Sequence, residues 1–240
     1  MIEGKRVLCV VPARGGSKGI KLKNLRLVNG SSLIEHLANV LRDLPFIDRT
    51  VVSTDHEGIA SHAESVGIAV PFRRPVELSG DLVGDWDVLY HALSEMEQID
   101  QIQYDVIVML QPTSPLRKAS HITDAVNHFL QGGYDSVWSV SPTDSKNHPL
   151  KQLVLDGQLL EYYDAAGANI IARQQLPTVY QRNGVVYVIS RDCLLKQESI
   201  RGERCGAFVL EGDYVSIDTE VDIQLVEALL RISPNPSSTN

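Results

Sequence analysis

The sequence predicts an α/β fold with a mostly parallel central sheet and helices on both faces. Short segments rich in β-branched residues alternate with segments whose apolar residues recur at helical spacing. The segment at residues 105–110 (DVIVML) is almost wholly apolar, as expected of a central strand that is buried on both faces. Hydrophobic residues make up 43% of the 240 residues, which is enough for one sizeable core.

The strands are predicted from compact apolar runs. The first run is bounded by charged residues before it and by Pro-Ala-Arg-Gly-Gly after it, a combination that ends a strand in a turn. The predicted strands are residues 5–12, 49–54, 105–110, 135–140 and 184–189, with a short one at 214–217. Strands separated by helices of 10–15 residues indicate βαβ units, and ligands of such sheets bind beyond the carboxyl ends of the strands.

The helices are predicted from apolar spacing and from capping residues. The helix at residues 31–44 has Ser31 and Ser32 as N-cap candidates, and the helix at 56–66 ends before a glycine. Further helices are predicted at residues 85–96 and 122–130. Thr219 opens the last helix, with Asp222 three residues later as its capping-box partner.

One polar segment, residues 143–181, interrupts the alternation of strands and helices. It is either an arm that contacts a partner subunit or a long surface loop. We predict one domain over residues 1–232, with this excursion inside it, and a flexible tail at residues 233–240.

Charge and composition exclude several classes of function. The net charge of −8 argues against general nucleic-acid binding. The longest apolar runs, residues 7–11 and 106–110, are far shorter than a membrane span, and the apolar run near the N-terminus is too short for a signal peptide. The three cysteines lack metal-ligand spacing and suggest buried free thiols in a reducing compartment. We therefore expect a cytoplasmic protein without a nucleic-acid or membrane partner.

A basic stretch contrasts with the overall acidity. Residues 4–34 contain no Asp or Glu but seven cations: Lys5, Arg6, Arg14, Lys18, Lys21, Lys23 and Arg26. Such a run is either a solvated surface or a site for a polyanion. The Gly-rich loop PARGGSKG at residues 12–19 follows a predicted strand and favours the polyanion, because its backbone and its cations suit phosphate. It matches neither G-x-G-x-x-G nor the Walker pattern.

That loop, followed by Lys23 and Asn24, resembles the opening of the acylneuraminate cytidylyltransferases, the CMP-sialic acid synthetases. The resemblance continues in chain order along nearly the whole sequence. Its further motifs are VVSTDHEGIA (51–60), RRPVELSGD (73–81), LQPTSPLR (110–117), NHPLK (147–151), RQQLP (173–177), RNGVVYV (182–188) and SIDTEVD (216–222). So many motifs in one order are far more specific than any single motif.

The resemblance implies a Rossmann-like nucleotide-diphospho-sugar transferase fold with a small dimerisation arm. It also implies a nucleotidyltransferase that couples a nonulosonic acid to CTP and releases pyrophosphate, with N-acetylneuraminate as the leading substrate. Synthesis of CMP-legionaminic or CMP-pseudaminic acid is the alternative, and another activating nucleotide stays open. A non-catalytic nucleotide-binding protein is the alternative from a different class.

The resemblance assigns Arg14 and Lys18 to the triphosphate and, with Asp218, to catalysis. The nucleotide-binding set that it implies is Arg14, Gly15, Lys18, Lys23, Asn24, Arg74, Ser79 and Asp81. Transfer of a phosphoryl group needs positioning and charge neutralisation more than covalent help, so basic residues at this edge suit the reaction.

The sugar-binding set implied by the resemblance begins directly after the central strand. It consists of Gln111, Thr113, Ser114, Lys151, Arg173, Gln175, Arg182 and Asn183. Arginine and lysine suit the carboxylate of a keto acid, and hydroxyl and amide groups suit a polyhydroxylated ligand. In the family the excursion crosses to the other subunit, so the resemblance also implies a homodimer.

Asp218 is the implied ligand of Mg²⁺ or another divalent cation. Ser216 stands where many members of that family carry a second aspartate. Mg²⁺ commonly binds through one or two carboxylates together with phosphate oxygens and water, so a single aspartate can suffice. Whether one metal or two are used stays open.

Overall fold

The computed structural model describes residues 1–232, so the tail predicted at residues 233–240 lies outside the described part of the chain. Its strands are β1 (Val7–Pro12), β2 (Leu27–Val28), β3 (Ser31–Ser32), β4 (Arg49–Ser53), β5 (Val106–Met109), β6 (Ser136–Pro142), β7 (Leu153–Asp156), β8 (Leu159–Tyr162), β9 (Tyr180–Ser190) and β10 (Cys205–Val209). Its helices are α1 (Leu33–Leu41), α2 (Glu57–Ser65), α3 (Asp85–Asp100), α4 (Ala119–Gly132), α5 (Arg191–Lys196) and α6 (Glu220–Ile232).

A six-stranded sheet in the order β10-β6-β9-β5-β1-β4 forms the centre of the molecule. Strands β4 and β5 pair in parallel with β1, and β10 pairs in parallel with β6. Strand β9 runs antiparallel to both of its neighbours, β5 and β6. The prediction of an α/β fold with a mostly parallel sheet is confirmed.

Helices cover both faces of this sheet because side chains alternate along each strand. Val7, Cys9 and Val11 of β1 pack in the same cluster as buried residues of α1, α2 and α4. Leu8 and Val10 face the other way, in a cluster with α3 and α5. All five side chains are fully buried, so β1 is covered on both faces as a central strand should be.

Two predicted helix starts are confirmed by their hydrogen bonds. Ser32 and Glu35 form a complete capping box at α1, each accepting the other's backbone N–H. At α6, the Thr219 N–H donates to Asp222 Oδ2 at 2.7 Å, and the Asp222 N–H donates to Thr219 Oγ1 at 3.3 Å. Each box satisfies donors that the first turn of a helix leaves without an intrahelical partner.

The segment at residues 214–217 is not a strand, and that prediction was wrong. It pairs with no strand within the described chain, and the Ile217 N–H donates to the Thr113 carbonyl at 2.9 Å. One edge of the sheet is formed by β4 and the other by β10, a strand that the sequence analysis missed. β10 is only five residues long and partly exposed, so its apolar pattern is weak.

The excursion is an arm between β6 and β9. Since Pro142 pairs with Tyr180, β9 already begins at Tyr180 and the arm covers residues 143–179, two residues fewer than predicted. It contains the two-stranded sheet β7-β8, every residue of which is exposed. Among residues 1–232, no helix is both long and apolar enough to cross a membrane.

Candidate active site

A cleft of about 570 Å³ opens at the edge of the sheet where β1, β4 and β5 end. This main cleft is lined by the loop after β1, the segment leading into α3, the residues after β5 and the segment before α6. Nine of the predicted site residues line it: Arg14, Lys18, Lys23, Asn24, Arg74, Asp81, Gln111, Thr113 and Asp218. Parallel strands bring their carboxyl ends to one edge, which explains why such distant positions meet.

Two hydrogen bonds hold the basic loop after β1 in place. The Gly15 N–H donates to Asp55 Oδ1 at 2.9 Å, and Asn24 Nδ2 donates to the Arg14 carbonyl at 3.2 Å. A Cβ at Gly15 would lie 2.9 Å from the Cβ of His56, so the close approach requires glycine. Gly15 is outside the lining of the main cleft, and its N–H is engaged by Asp55 rather than directed at a ligand.

Arg14 and Lys18 are both bound to one carboxylate across the cleft. Arg14 Nη2 lies 2.8 Å from Asp81 Oδ1, and Lys18 Nζ lies 2.8 Å from Asp81 Oδ2. The hydrogen bond from Lys18, with a further one from Arg14, holds the pKa of Asp81 below its usual range. The two cations predicted for the triphosphate therefore lie side by side. Their spacing lets each of them contact a different oxygen of the same anion.

Lys23 and Asp218 form a second ion pair on the cleft wall, with Lys23 Nζ 2.7 Å from Asp218 Oδ1. Gly19 allows the basic loop to approach this wall. A Cβ at Gly19 would lie 2.3 Å from the Asp218 carbonyl oxygen, too close for any other residue without a shift of the backbone. Ser216 Oγ donates to Thr113 Oγ1 at 3.3 Å, so the serine faces the segment after β5.

Arg74 is a buried cation in the lining of the main cleft. Its Nε donates to Ser53 Oγ at 3.0 Å, and its Nη2 donates to the Ser53 carbonyl. Burial lowers the pKa of Arg74 to about 10, with Asp55 opposing the shift. Ser79, predicted beside it, lies outside the lining; its hydroxyl donates to the Pro75 carbonyl at 3.1 Å.

Gln111 is positioned by a buried arginine that the sequence analysis quoted only as the end of a motif. The side chain of Arg117 donates to the Gln111 carbonyl at 2.7 Å and to the Gly184 carbonyl at 3.0 Å, and also to the Val185 carbonyl. These bonds tie the segment just after β5 to the middle of β9. Burial lowers the pKa of Arg117 to about 10.

Ser114 and Asn183, both predicted to contact the sugar, lie beneath the cleft rather than in it. Asn183 is 4% exposed; its Oδ1 accepts from the Ser139 hydroxyl at 2.6 Å, and its Nδ2 donates to Ser141 Oγ at 3.0 Å. Ser114 is 3% exposed and donates to the Asn183 carbonyl at 3.4 Å. Their polar atoms are used within the sheet, so the structure gives both a structural role.

The remaining predicted sugar contacts lie outside the lining of the main cleft. Lys151 and Arg173 line a smaller depression of about 200 Å³ in the arm, together with apolar side chains. Gln175 Oε1 accepts the N–H groups of Ile171 and Ala172 and so folds a turn of the same arm. Arg182 lies over the ring of Trp138, 5.4 Å from its centroid.

Asp85 is a cleft residue that the sequence analysis missed. It is the first residue of α3 and lines the main cleft. Burial raises the pKa of Asp85, and the positive charges of Arg182 and Arg74 oppose that shift. In the sequence, Asp85 is an acidic residue at the start of an amphipathic helix. Its favourable interaction with the helix dipole is enough to explain an aspartate there, so the sequence carries no signal for a cleft residue.

A matching sequence model decides the family. The model of the family described as Cytidylyltransferase matches residues 8–230. The chain belongs to the cytidylyltransferase family. This membership confirms the predicted resemblance and the prediction of a nucleotidyltransferase.

Several relatives match nearly all of this chain. It is 32% identical over 228 residues to "Post-translational flagellin modification protein B" of Campylobacter coli, covering 94% of this chain and 95% of that protein. It is 31% identical to "CMP-N,N'-diacetyllegionaminic acid synthase" of Legionella pneumophila, covering 95% and 97%. It is also 31% identical to "N-acylneuraminate cytidylyltransferase" of Streptococcus agalactiae serotype V, covering 90% of this chain but 51% of that protein.

A solved cytidylyltransferase structure shares the fold. The structure of CMP:2-keto-3-deoxy-manno-octonic acid synthetase complexed with CTP superposes with a TM-score of 0.69 over 95% of this chain and 99% of that chain. The sequence identity is 17%, so this likeness concerns the fold. It agrees with the predicted nucleotide-diphospho-sugar transferase architecture.

Proposed function

We propose that this protein couples a nonulosonic acid to CTP, giving the CMP-sugar and pyrophosphate. The observation that carries the proposal is the main cleft, in which Arg14, Lys18, Lys23 and Arg74 converge from separate segments. Cations gathered at the carboxyl edge of a parallel sheet suit a triphosphate. Membership of the cytidylyltransferase family supports CTP as the nucleotide that provides this triphosphate.

The sugar acid is proposed to bind beside Gln111 and Thr113, which line the cleft opposite the basic loop. Their amide and hydroxyl groups suit a ligand with many hydroxyls. N-acetylneuraminate is the leading substrate, in keeping with the named streptococcal relative. N,N'-diacetyllegionaminate is the alternative, since the Legionella relative named for it matches along nearly its whole length.

In this reaction the anomeric hydroxyl of the sugar attacks the α-phosphorus of CTP. A bond forms from that oxygen to the α-phosphorus, and the bond from the α-phosphorus to the oxygen that bridges it to the β-phosphate breaks. The hydroxyl proton passes to solvent, and that bridging oxygen leaves with pyrophosphate. Arg14 and Lys18 would hold the phosphates in line and neutralise the charge that develops on the leaving pyrophosphate. Their positions next to each other on one loop suit adjacent phosphate groups.

The proposal is tested by pyrophosphate release from CTP in the presence of magnesium. N-acetylneuraminate, N,N'-diacetyllegionaminate and pseudaminate are offered separately, and the CMP-sugar is identified by mass spectrometry. We expect release with at least one of them and none from CTP alone. A protein that binds CTP but releases pyrophosphate with no acid would support the non-catalytic alternative instead.

A divalent cation, Mg²⁺ in the first instance, is proposed to bind with the triphosphate next to Asp218. No group of three His, Cys, Asp or Glu side chains suited to a metal occurs within residues 1–232, so the protein supplies few ligands. The donors present fit a cation that keeps phosphate oxygens and waters as its other ligands: the Asp218 carboxylate and the Ser216 hydroxyl line the cleft. The bound cation would neutralise charge on the phosphate oxygens.

Asp218→Asn is expected to lower turnover at least about tenfold, or roughly 1.4 kcal/mol of barrier. Asn is a poor replacement for a metal ligand because it is neutral, and excess Mg²⁺ should restore part of the rate. Stability should hardly change, since the Asp218 side chain is 72% exposed and Asp222 with Thr219 already caps α6. Turnover measured against Mg²⁺ concentration, with a thermal melt, checks both parts.

Asp213→Asn is the matched control, because it removes one negative charge from an exposed position five residues earlier in the same segment. It should leave the magnesium dependence unchanged. Full activity of Asp218→Asn at low Mg²⁺ would mean that the carboxylate does not hold the metal.

A homodimer formed through the arm is also proposed. Several apolar side chains of the arm are exposed, among them Leu155 (72%), Leu160 (67%) and Ile171 (92%). Adjacent exposed apolar side chains are typical of an interface. Because Lys151 and Arg173 lie outside the lining of their own main cleft, any sugar contact that they make is best explained by the cleft of a second subunit.

Light scattering is expected to give twice the mass of one chain for the native protein and a shift towards one chain for Leu160→Glu. A buried glutamate without a partner would weaken an apolar interface. Val221→Glu is the control, since Val221 is similarly exposed (70%) but lies on α6. A native protein that is monomeric and fully active contradicts the shared site.

A cytoplasmic location is proposed from the thiols. Cys9, Cys193 and Cys205 are all free, and Cys9 and Cys193 are buried. Burial raises the pKa of Cys9 and of Cys193 to about 12. Thiols held in this protonated form suit a reducing compartment, where disulfides are rare.

A further inference from the structure

Asp81 connects two segments on opposite sides of the main cleft. It lies on the segment that leads into α3, whereas Arg14 and Lys18 lie on the loop after β1. Each of its carboxylate oxygens contacts one of these cations at 2.8 Å. The resemblance places Asp81 by the cytidine, but here it binds the cations assigned to the phosphates.

This arrangement imitates a bound phosphate group. Two oxygens of one anion each accept a charge-assisted hydrogen bond from a separate cation, as two oxygens of a phosphate would. Arg14 and Lys18 cannot give the same N–H groups to Asp81 and to a phosphate. A phosphate that uses these donors must therefore displace the carboxylate.

The contacts are of the kind that an incoming anion can displace. The side chains of Asp81 and Lys18 are 38% and 77% exposed, so water screens their attraction. The segment around Asp81 is also exposed: Gly80, Asp81 and Leu82 all have exposed surfaces. Movement of this segment breaks no buried contact of the Asp81 side chain.

We propose that Asp81 is an internal competitor for the phosphate site, displaced by the triphosphate of CTP and returning as pyrophosphate leaves. The inference rests on the proposed function for the identity of that ligand. Competition by Asp81 weakens the binding of every anion at Arg14 and Lys18. A triphosphate keeps further contacts, for instance at Lys23, whereas the free product loses its link to the nucleotide. Asp81 thereby favours release of pyrophosphate.

A purely structural role for Asp81 predicts the opposite result. If the carboxylate only held Arg14 and Lys18 in position, its removal would leave these side chains mobile. Binding of pyrophosphate would then weaken, because ordering the two side chains would oppose it. The sign of the change in affinity therefore separates the two roles.

The test is calorimetric titration of inorganic pyrophosphate into the full-length protein without CTP or sugar, at fixed ionic strength. Asp81→Asn and Asp81→Ala are each expected to bind pyrophosphate about three- to tenfold more tightly than the native protein. Pyrophosphate should also inhibit turnover of Asp81→Asn at correspondingly lower concentrations.

Glu77→Gln is the matched control. Glu77 is an exposed carboxylate four residues before Asp81 that lies outside the lining of the main cleft. The Glu77→Gln substitution removes the same charge from the same segment as Asp81→Asn does. The pyrophosphate affinity of this variant should stay within about twofold of the native value. An equal gain in Glu77→Gln would mean that general charge is responsible and would overturn the proposal.

Equal, weaker or absent pyrophosphate binding by both Asp81 variants also overturns the proposal. These outcomes are independent of the reaction, because the titration uses neither CTP nor a sugar acid. If pyrophosphate binds more tightly to the variants while no acid supports turnover, the proposed function fails and the competition by Asp81 stands.

Discussion

Lys18→Ala or Arg14→Ala is expected to lower the turnover number by about 10²–10³, or roughly 2–4 kcal/mol of barrier. The proposed reaction develops negative charge on the leaving pyrophosphate, and the proposal assigns that group to these two cations, which lie side by side against Asp81. Stability should hardly change, because Lys18 is 77% exposed and its ion pair with Asp81 is screened by water. Steady-state kinetics and a thermal melt of each variant test the expectation.

Lys21→Ala is the control for that experiment. Lys21 belongs to the same basic run, but it is exposed and lies outside the lining of the main cleft. Its loss should change turnover less than about threefold, as expected of a screened surface charge. Were Arg14→Ala and Lys18→Ala to keep more than about half of the native activity, the basic loop would not be the phosphate site.

The second large effect is expected on stability: Arg117→Met should lower the free energy of unfolding by about 3 kcal/mol or more. Arg117 is 5% exposed and donates to three backbone carbonyls. Methionine fills similar space but donates nothing, so the carbonyls of Gln111, Gly184 and Val185 lose a buried donor. Each buried acceptor left without a partner costs about 1–3 kcal/mol. Urea denaturation measures the loss.

Arg201→Met provides the comparison, since Arg201 is exposed and its loss should cost less than about 0.5 kcal/mol. Arg117→Lys should recover part of the stability, because an ammonium group can reach some of the carbonyls but lacks the planar fork. If Arg117→Met unfolds at the same urea concentration as the native protein, the arginine is not what joins β5 to β9.

Apolar spacing and local capping made most of the fold predictable. Helices α1 to α4 were predicted because their buried residues recur at helical spacing, and the starts of α1 and α6 carry complete capping boxes. The elements that were missed, such as α5 and β10, have six and five residues. Short elements contain too few residues for a period to stand out. Their formation depends on tertiary contacts instead.

The position of a site residue was predictable where that residue follows a parallel strand. It was less predictable for residues on the antiparallel strand β9. Arg14 and Gln111 follow β1 and β5, so topology alone places them at the cleft. Asn183 lies where the register between β6 and β9 shifts, between Trp138 and Val140. A bulge changes which face a side chain points to, and the sequence does not show it. The partners of Asp81 were equally invisible, because they depend on how two loops meet.

The way in which the arm joins the sheet has an evolutionary consequence. Its two ends are held side by side, since Pro142 pairs with Tyr180 and the Thr143 N–H donates to the Val179 carbonyl at 2.9 Å. A segment whose two ends are paired in this way can be lengthened with little loss of stability. Each doubling of the length of a flexible loop costs only about 0.6 kcal/mol of closure entropy. Insertions and exchanges in the arm therefore leave the sheet and the basic loop undisturbed. If the arm reaches the cleft of a second subunit, as proposed, its sugar contacts can change while the proposed phosphate site stays the same.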